Sequence, residues 1–267
     1  MKNKVVQTPL RYPGSKFKVF KYIKPFIDAL PHDEYREPFL GSGAVFFKKE
    51  LASCNWLNDL DEDLMIFYKT IQNKTKAEIL AKEVEKVCPS KEYFNQLKDS
   101  MPTTDIEKAF KYFVLNRTAY GGIMNMPNWG FHTIKSVQPN KWGERILQAS
   151  QKLQDIELSS FSYEKLLFEK PKGNCVLLFI DPPYYKADQK RAYVKSFEKE
   201  DHIKLAENLK TTPYNFILTY DDDAEIRKLY DWAYIYPIEF KYNTANSKVA
   251  TRKTGKELII TNKKIDL

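Results

Sequence analysis

The segment best equipped for chemistry is Asp181-Pro182-Pro183-Tyr184, which directly follows the apolar run 175–180. Such a run predicts a strand covered on both faces, and ligands of open α/β sheets bind beyond the carboxyl ends of their strands. Prolines lack N–H groups and leave nearby carbonyls free to accept, while the aspartate is a second acceptor and the tyrosine offers a flat face. This combination suits an exocyclic amino group on a flat ring. A rigid proline turn is the alternative.

A second candidate site is the turn Gly41-Ser42-Gly43, which lies between a short extended run and a helical stretch. Glycines at such a turn let the backbone bend tightly and approach a ligand closely. Asp59 ends the next predicted strand, at roughly the 20-residue offset where an acidic group meets ribose hydroxyls in nucleotide-binding sheets. The pair favours a ligand that contains adenosine over a purely structural turn.

The elements around these motifs alternate between strand, loop and helix, which indicates an α/β sheet with crossover connections. Helical spacing of apolar residues dominates between positions 74 and 153, apart from an irregular aromatic stretch at 116–136. We therefore predict a catalytic, cofactor-binding α/β domain formed by residues 1–73 and 154–267. A mostly helical domain, residues 74–153, is predicted to be inserted into it.

Composition limits the function classes. The 267 residues include 43 Lys and Arg against 35 Asp and Glu, a net charge of +8, which favours a polyanionic partner such as nucleic acid. Three scattered cysteines and three histidines show no metal-ligand spacing, so we expect no metal and no disulfide framework. No run is apolar enough for a membrane span and residues 1–8 lack a signal-peptide core, so we expect a cytoplasmic protein.

Five motifs occur in an order that resembles one family. They are 10–16 (LRYPGSK), 38–43 (PFLGSG), Asn58-Asp59, Asn116-Arg117 with 120–122 (YGG), and 181–184 (DPPY). The chain is similar over essentially its whole length to the Dam-like, D12-class adenine-N6 DNA methyltransferases of the α group. The resemblance implies a Rossmann-like S-adenosylmethionine-dependent methyltransferase sheet with a helical target-recognition insertion. It also implies double-stranded DNA as substrate and leaves room for a restriction endonuclease partner.

The resemblance implies a role for each matching residue. Asp181, Pro182 and Tyr184 would be catalytic: the first two accept from the target amine and Tyr184 stacks on the flipped base. Tyr12 and Lys16 would line the cofactor pocket, which Asp181 shares. Phe39, Gly41 and Gly43 would shape its methionine side, and Asp59 would bind the ribose. Arg117 and Tyr120 would contact DNA. A solvated or structural role is the alternative for Tyr12, Lys16 and Arg117.

Two departures from the family pattern matter. The usual aspartate before the DPPY strand is replaced in the stretch Phe161-Ser162-Tyr163, so cofactor adenine binding must use Ser162 or another group. The residues after Tyr120 also differ from those of Dam, so a GATC target does not follow. An RNA adenine-N6 methyltransferase and a non-catalytic DNA-binding module with the same fold are the competing hypotheses. Cytosine-N4 and glutamine methyltransferases rank lower because they usually carry Ser or Asn at position 181.

Overall fold

The computed structural model describes residues 6–185, 197–241 and 254–266. Seven strands form one sheet. They are β1 (Glu34–Glu37), β2 (Cys54–Asn58), β3 (Glu157–Ser159), β4 (Val176–Ile180), β5 (Asn215–Asp221), β6 (Tyr234–Lys241) and β7 (Thr254–Thr261).

The order of strands across the sheet is β3-β2-β1-β4-β5-β7-β6. The pairs from β3 to β5 are parallel, and β7 is antiparallel to both β5 and β6. Because the order reverses between β1 and β4, a crevice opens beyond the carboxyl ends of these two strands, where open α/β sheets bind ligands. The predicted fold class, a Rossmann-like α/β sheet, is confirmed.

Helices cover both faces of this sheet. They are α1 (Phe20–Ala29), α2 (Ala44–Lys48), α3 (Glu62–Gln72), α4 (Lys74–Glu85), α5 (Lys91–Asp99), α6 (Asp105–Thr118), α7 (Trp142–Lys152), α8 (Tyr163–Phe168), α9 (Lys199–Thr211) and α10 (Ala224–Leu229). Side-chain caps fix several starts, as expected for helix ends with unpaired N–H groups. The Asp61 carboxylate caps α3, for example, and accepts from Leu64 N at 3.2 Å. Thr104 begins α6 with a capping box that includes Glu107.

Successive residues of the central strands point to opposite faces and feed two hydrophobic clusters. In β4, Leu177 and Phe179 belong to the first cluster, whereas Leu178 and Ile180 belong to the second. Helices α8, α9 and α10 cover the second face.

The first cluster also contains apolar residues of the region 74–153, namely Leu80, Val84, Phe113, Trp142 and Ile146. Helices α4, α6 and α7 therefore complete the core on one face of the sheet. The division of the chain at residues 74 and 153 stays a prediction.

No helix in the described ranges is both long and apolar enough to cross a bilayer.

Candidate active site

The loops after β1 and β4 lie side by side and line a cavity of about 410 Å³. Residues from four of the five sequence motifs contribute to its wall. The predicted site residues that line it are Tyr12, Lys16, Phe39, Gly41, Asp59 and Asp181. The topology thus places at one point the segments that lie far apart in the sequence.

The glycine turn after β1 adopts a left-handed backbone, with φ of +48° at Gly41 and +64° at Gly43. A Cβ atom on Gly41 would lie 3.2 Å from the Tyr12 ring, so the glycine lets this ring pack on the turn. A Cβ atom on Gly43 would lie 2.9 Å from Phe47. Gly43 is the N-cap of α2 and is not among the described residues that line the cavity, so its contribution to the site is through the shape of the turn.

Asp59 directly follows β2 at the wall of the cavity, where its two carboxylate oxygens accept from backbone amides. The donors are Gly41 N to Oδ2 at 2.8 Å and Asp61 N to Oδ1 at 3.0 Å. Burial raises the pKa of Asp59 to about 6, and the two amide donors oppose the rise. The bond to Gly41 joins the ends of β1 and β2, and each oxygen keeps a second lone pair for a ligand hydroxyl.

Asp181 begins the loop after β4 and forms an ion pair with Lys16. The distance from Lys16 Nζ to Asp181 Oδ1 is 2.8 Å, and the lysine side chain is only 3% exposed against 22% for the aspartate. The same ammonium donates to Gly14 O at 2.9 Å and lies 4.6 Å from the centre of the Tyr184 ring. Three residues predicted to act together are therefore in contact.

The other three residues of the tetrapeptide differ in their position relative to the cavity. Pro183 lines the cavity, whereas Pro182 and Tyr184 are not among its described lining residues. Tyr184 packs against Tyr220 with ring centres 6.0 Å apart. Its ring is thus held beside the ion pair, next to the cavity.

Sequence reasoning missed Glu37, the last residue of β1. Its side chain is 2% exposed, lines the cavity and accepts from the Tyr35 hydroxyl at 2.8 Å. Burial raises its pKa to about 8, and the charge of Asp181 contributes to the rise. An acidic residue directly before Pro38, at the carboxyl end of a strand, was the signal in the sequence.

The ionisable side chains that line the cavity are predominantly acidic. Six carboxyl side chains of the described residues line it against two ammonium groups. The carboxyl residues are Glu37, Asp59, Asp61, Glu164, Asp181 and Asp201, and the lysines are Lys16 and Lys204. Such a wall favours a ligand that carries positive charge.

The end of the cavity near Ser162 combines aromatic rings with a polar network. Phe39 stacks on Tyr163, with ring centres 5.4 Å apart and an angle of 28° between the planes. The Ser162 hydroxyl donates to the Glu164 carboxylate, which also pairs with Lys204 at 2.7 Å. Flat faces and hydrogen-bonding groups therefore meet at this end.

A cluster of three arginines lies in and beside the helical insertion. Arg117, near the end of α6, is 5% exposed, and its Nε finds no hydrogen-bond partner among the described residues. Burial and the charges of Arg145 and Arg11 lower the pKa of Arg117 to about 9. Positive charges held together in this way favour an anionic partner.

The predicted DNA-contacting segment forms a short hairpin beside this cluster. Ala119 and Trp129 form an antiparallel bridge, and Tyr120, which is 64% exposed, follows the bridge. The Asn116 side chain joins the hairpin to the N-terminal loop, because its amide donates to Arg11 O and Gly122 O and its oxygen accepts from Arg11 N.

Within the described ranges, no three His, Cys, Asp or Glu side chains are grouped to hold a metal ion.

Known proteins resemble this chain over most of its length. Residues 12–244 match the family described as D12 class N6 adenine-specific DNA methyltransferase. The chain is 25% identical over 249 residues to the Type II methyltransferase M.CviBI of Paramecium bursaria Chlorella virus NC1A. This alignment covers 90% of this chain and 94% of the relative. The chain is also 25% identical to the Type II methyltransferase M1.LlaDCHI of Lactococcus lactis subsp. cremoris, covering 98% and 97%. A DNA N-6-adenine-methyltransferase of Escherichia phage P1 is 30% identical over 65% of this chain and 23% of its own length.

Proposed function

This chain belongs to the D12 class N6 adenine-specific DNA methyltransferase family, and from that premise we propose how its residues perform the reaction. The protein is a site-specific DNA methyltransferase that acts on N6 of adenine. In the proposal, S-adenosylmethionine is the methyl donor and the adenine is flipped out of double-stranded DNA. The observation that carries the proposal is the position of Asp181, which lines the cavity at the point where the strand order reverses.

The cavity fits S-adenosylmethionine in size and charge. Small-molecule sites usually enclose roughly 300–1,000 Å³, and the cavity of about 410 Å³ falls in that range. Its acidic wall suits a ligand with a sulfonium and an ammonium group. When bound, the cofactor supplies an electrophilic methyl group on positively charged sulfur.

Two further groups of side chains in the cavity wall suit the adenosine half of the cofactor. Asp59 has lone pairs for the ribose hydroxyls, as the resemblance implies. The stacked rings of Phe39 and Tyr163 suit the flat adenine ring, a role for Phe39 that differs from the methionine side implied by the family pattern. Ser162 and Glu164 then supply polar contacts where the usual aspartate is absent.

Asp181 acts on the target amine. The lone pair of an adenine amine is conjugated with the ring, which makes the nitrogen a poor nucleophile. The Asp181 carboxylate and the Pro182 carbonyl accept from its two N–H groups and draw them out of the ring plane, so the lone pair becomes available. Negative charge at Asp181 also stabilises the positive charge that develops on the nitrogen.

Tyr184 compensates part of the cost of flipping. Removing a base from the stack costs a few kcal/mol, and stacking on an aromatic side chain recovers roughly 1–3 kcal/mol. The ring contacts Lys16 and Tyr220 and is therefore already ordered, so little conformational entropy is lost when a base stacks on it.

The arginine cluster supports binding to the DNA backbone. A phosphate next to Arg117 would relieve the repulsion from Arg11 and Arg145 and provide a partner for the buried guanidinium. Exposed Tyr120 lies on the hairpin beside this cluster and can fill the space that the flipped base leaves. The cytoplasmic location and the restriction endonuclease partner stay predictions from the sequence.

The test is transfer of labelled methyl from S-adenosylmethionine to unmethylated genomic DNA, with nucleoside analysis of the product. Label in N6-methyladenine is expected from the wild-type protein. Asp181→Ala should abolish transfer and still bind S-adenosylhomocysteine, because it removes an acceptor at a loop and leaves the rest of the wall intact.

An exposed acidic residue outside the cavity provides the control: Glu78→Gln should transfer at the wild-type rate. Retained transfer by Asp181→Ala would refute its catalytic role. Label that appears in RNA in preference to DNA would refute the assignment of substrate.

A further inference from the structure

Thr219 lies beside Asp181 although 38 residues separate them in the sequence. Strands β4 and β5 are parallel neighbours with Ile180 opposite Leu218, so the next residue on each strand is also adjacent. The Thr219 hydroxyl donates to Asp181 Oδ1 at 2.7 Å, and the threonine side chain is fully buried. No motif in the sequence pointed to this residue.

The two donors to Asp181 converge on one oxygen. Lys16 Nζ and Thr219 Oγ1 lie 2.8 Å and 2.7 Å from Oδ1. No described residue donates to Oδ2, and Asp181 is 22% exposed in the wall of the cavity. One oxygen of the carboxylate is therefore used to hold the group in place, and the other is left to accept from a ligand.

Two donors on one oxygen limit the rotation of the Asp181 carboxylate. The terminal torsion of an aspartate side chain is broad and nearly twofold, so a carboxylate held by one contact can swing or exchange its oxygens. Two donors from different directions fix the plane of the group. Catalytic geometry must hold within roughly 0.5 Å, because a displacement of about 1 Å can cost 100-fold in rate.

Of the two donors, Thr219 has the more fixed position. Its β-branched side chain has few rotamers, and its strand is paired with β4 on one side and with β7 on the other. Lys16 is a flexible side chain whose ammonium also serves Gly14 O and the Tyr184 ring. Lys16 thus places a positive charge beside Asp181, whereas Thr219 restricts the orientation of its carboxylate.

We propose that Thr219 is a positioning residue for methyl transfer, which orients Asp181 so that Oδ2 accepts from the target amine. The proposal rests on the role assigned to Asp181 above. Thr219 itself touches neither the amine nor the cofactor, so its loss should slow the chemical step and leave binding intact.

The experiment compares Thr219→Val, which keeps the shape and removes the hydroxyl, with Thr219→Ser, which keeps the hydroxyl. Single-turnover transfer to DNA is measured at saturating cofactor, together with KM for DNA and the affinity for S-adenosylhomocysteine. Thr219→Val should lower the rate roughly 10- to 100-fold while both binding constants stay within about twofold. Thr219→Ser should recover most of the rate.

A matched control removes a buried threonine hydroxyl from the neighbouring strand. Thr261 on β7 is fully buried and donates to Lys263 O at 2.7 Å, away from Asp181. Thr261→Val should transfer at the wild-type rate once its thermal midpoint confirms folding. If Thr219→Val does not fold, Thr219→Cys, with a weak S–H donor, takes its place and should also be slow.

The outcomes separate this proposal from the one on which it rests. A Thr219→Val rate within about twofold of wild type, or a Thr219→Ser rate as low as that of Val, overturns the positioning role. If this happens while Asp181→Ala is inactive, the catalytic role of Asp181 stands alone. If Asp181→Ala is itself active, both proposals fall.

Discussion

Replacing Glu37 with glutamine should remove a pH-dependent loss of stability from this protein. Glu37 is 2% exposed at the end of β1, where burial raises its pKa from the ordinary 4.5 to about 8. The charge of Asp181 adds to this rise, while the Tyr35 hydroxyl and the charge of Lys49 oppose it. The folded protein therefore keeps a proton on Glu37 at pH values where the unfolded chain has released it.

The sign follows from proton binding. Between about pH 4.5 and 8 the unfolded chain binds fewer protons than the folded protein, so the free energy of unfolding falls as the pH rises. The full difference between the two pKa values corresponds to about 5 kcal/mol, which is an upper limit because water entry relaxes a buried charge. Glutamine keeps the shape of the side chain and is neutral throughout. The variant should therefore gain stability relative to wild type as the pH rises, by up to about 5 kcal/mol.

The assay is urea unfolding of both proteins at pH 4.5, 6.5 and 8.5, followed by tryptophan fluorescence. Glu78→Gln, at an exposed position of α4, is the control and should follow the wild-type pH dependence. Titrating groups that do not interact with Glu37, such as Asp59, contribute equally to wild type and variant and cancel in the difference. If the difference in the free energy of unfolding between Glu37→Gln and wild type is the same at all three pH values, Glu37 is not a buried, protonated group.

Three further predictions concern the turn, the insertion and the DNA interface. Gly41→Ala should weaken binding of S-adenosylhomocysteine in calorimetry, because a left-handed alanine costs about 1–2 kcal/mol and its Cβ would press on the Tyr12 ring; unchanged affinity would contradict this. Thr104→Ala should lower the free energy of urea unfolding by about 1 kcal/mol through loss of the α6 cap, and equal stability would show that the cap is dispensable. DNA affinity should fall steeply with added salt, and Arg117→Gln should reduce the slope of log Kd against log salt by about one, whereas an unchanged slope would exclude a phosphate contact.

The sequence was sufficient to predict the elements of the sheet and the motifs at their ends. The continuous apolar run 175–180 predicts the buried strand β4, and the proline-containing segment 181–184 marks its end. These signals come from short stretches of the sequence. Such stretches do not give the order of the strands, because that order depends on which strands pair across long separations in the sequence.

The sequence therefore did not identify residues whose roles depend on contacts with distant parts of the chain. Thr219 meets Asp181 only because β4 and β5 are neighbours, and nothing in the composition of β5 marks this contact. Asn116 was noted as part of a motif, but its bonds to both Arg11 and Gly122 depend on the packing of the insertion against the N-terminal loop. Glu37 could have been found from its place at a strand end. Its altered acidity could not, since that arises from burial.

The shared core has a consequence for protein engineering. Exchanging residues 74–153 as a block between relatives would remove Leu80, Phe113 and Trp142 from the same hydrophobic cluster that packs against β4. A chimaera cut there must match a foreign set of helices to the native sheet. The shorter stretch from Ala119 to Lys141 carries exposed tips such as Tyr120, but its residues Phe131 and Val137 pack against the same cluster. Libraries that vary this stretch should therefore change its exposed positions and keep Phe131 and Val137.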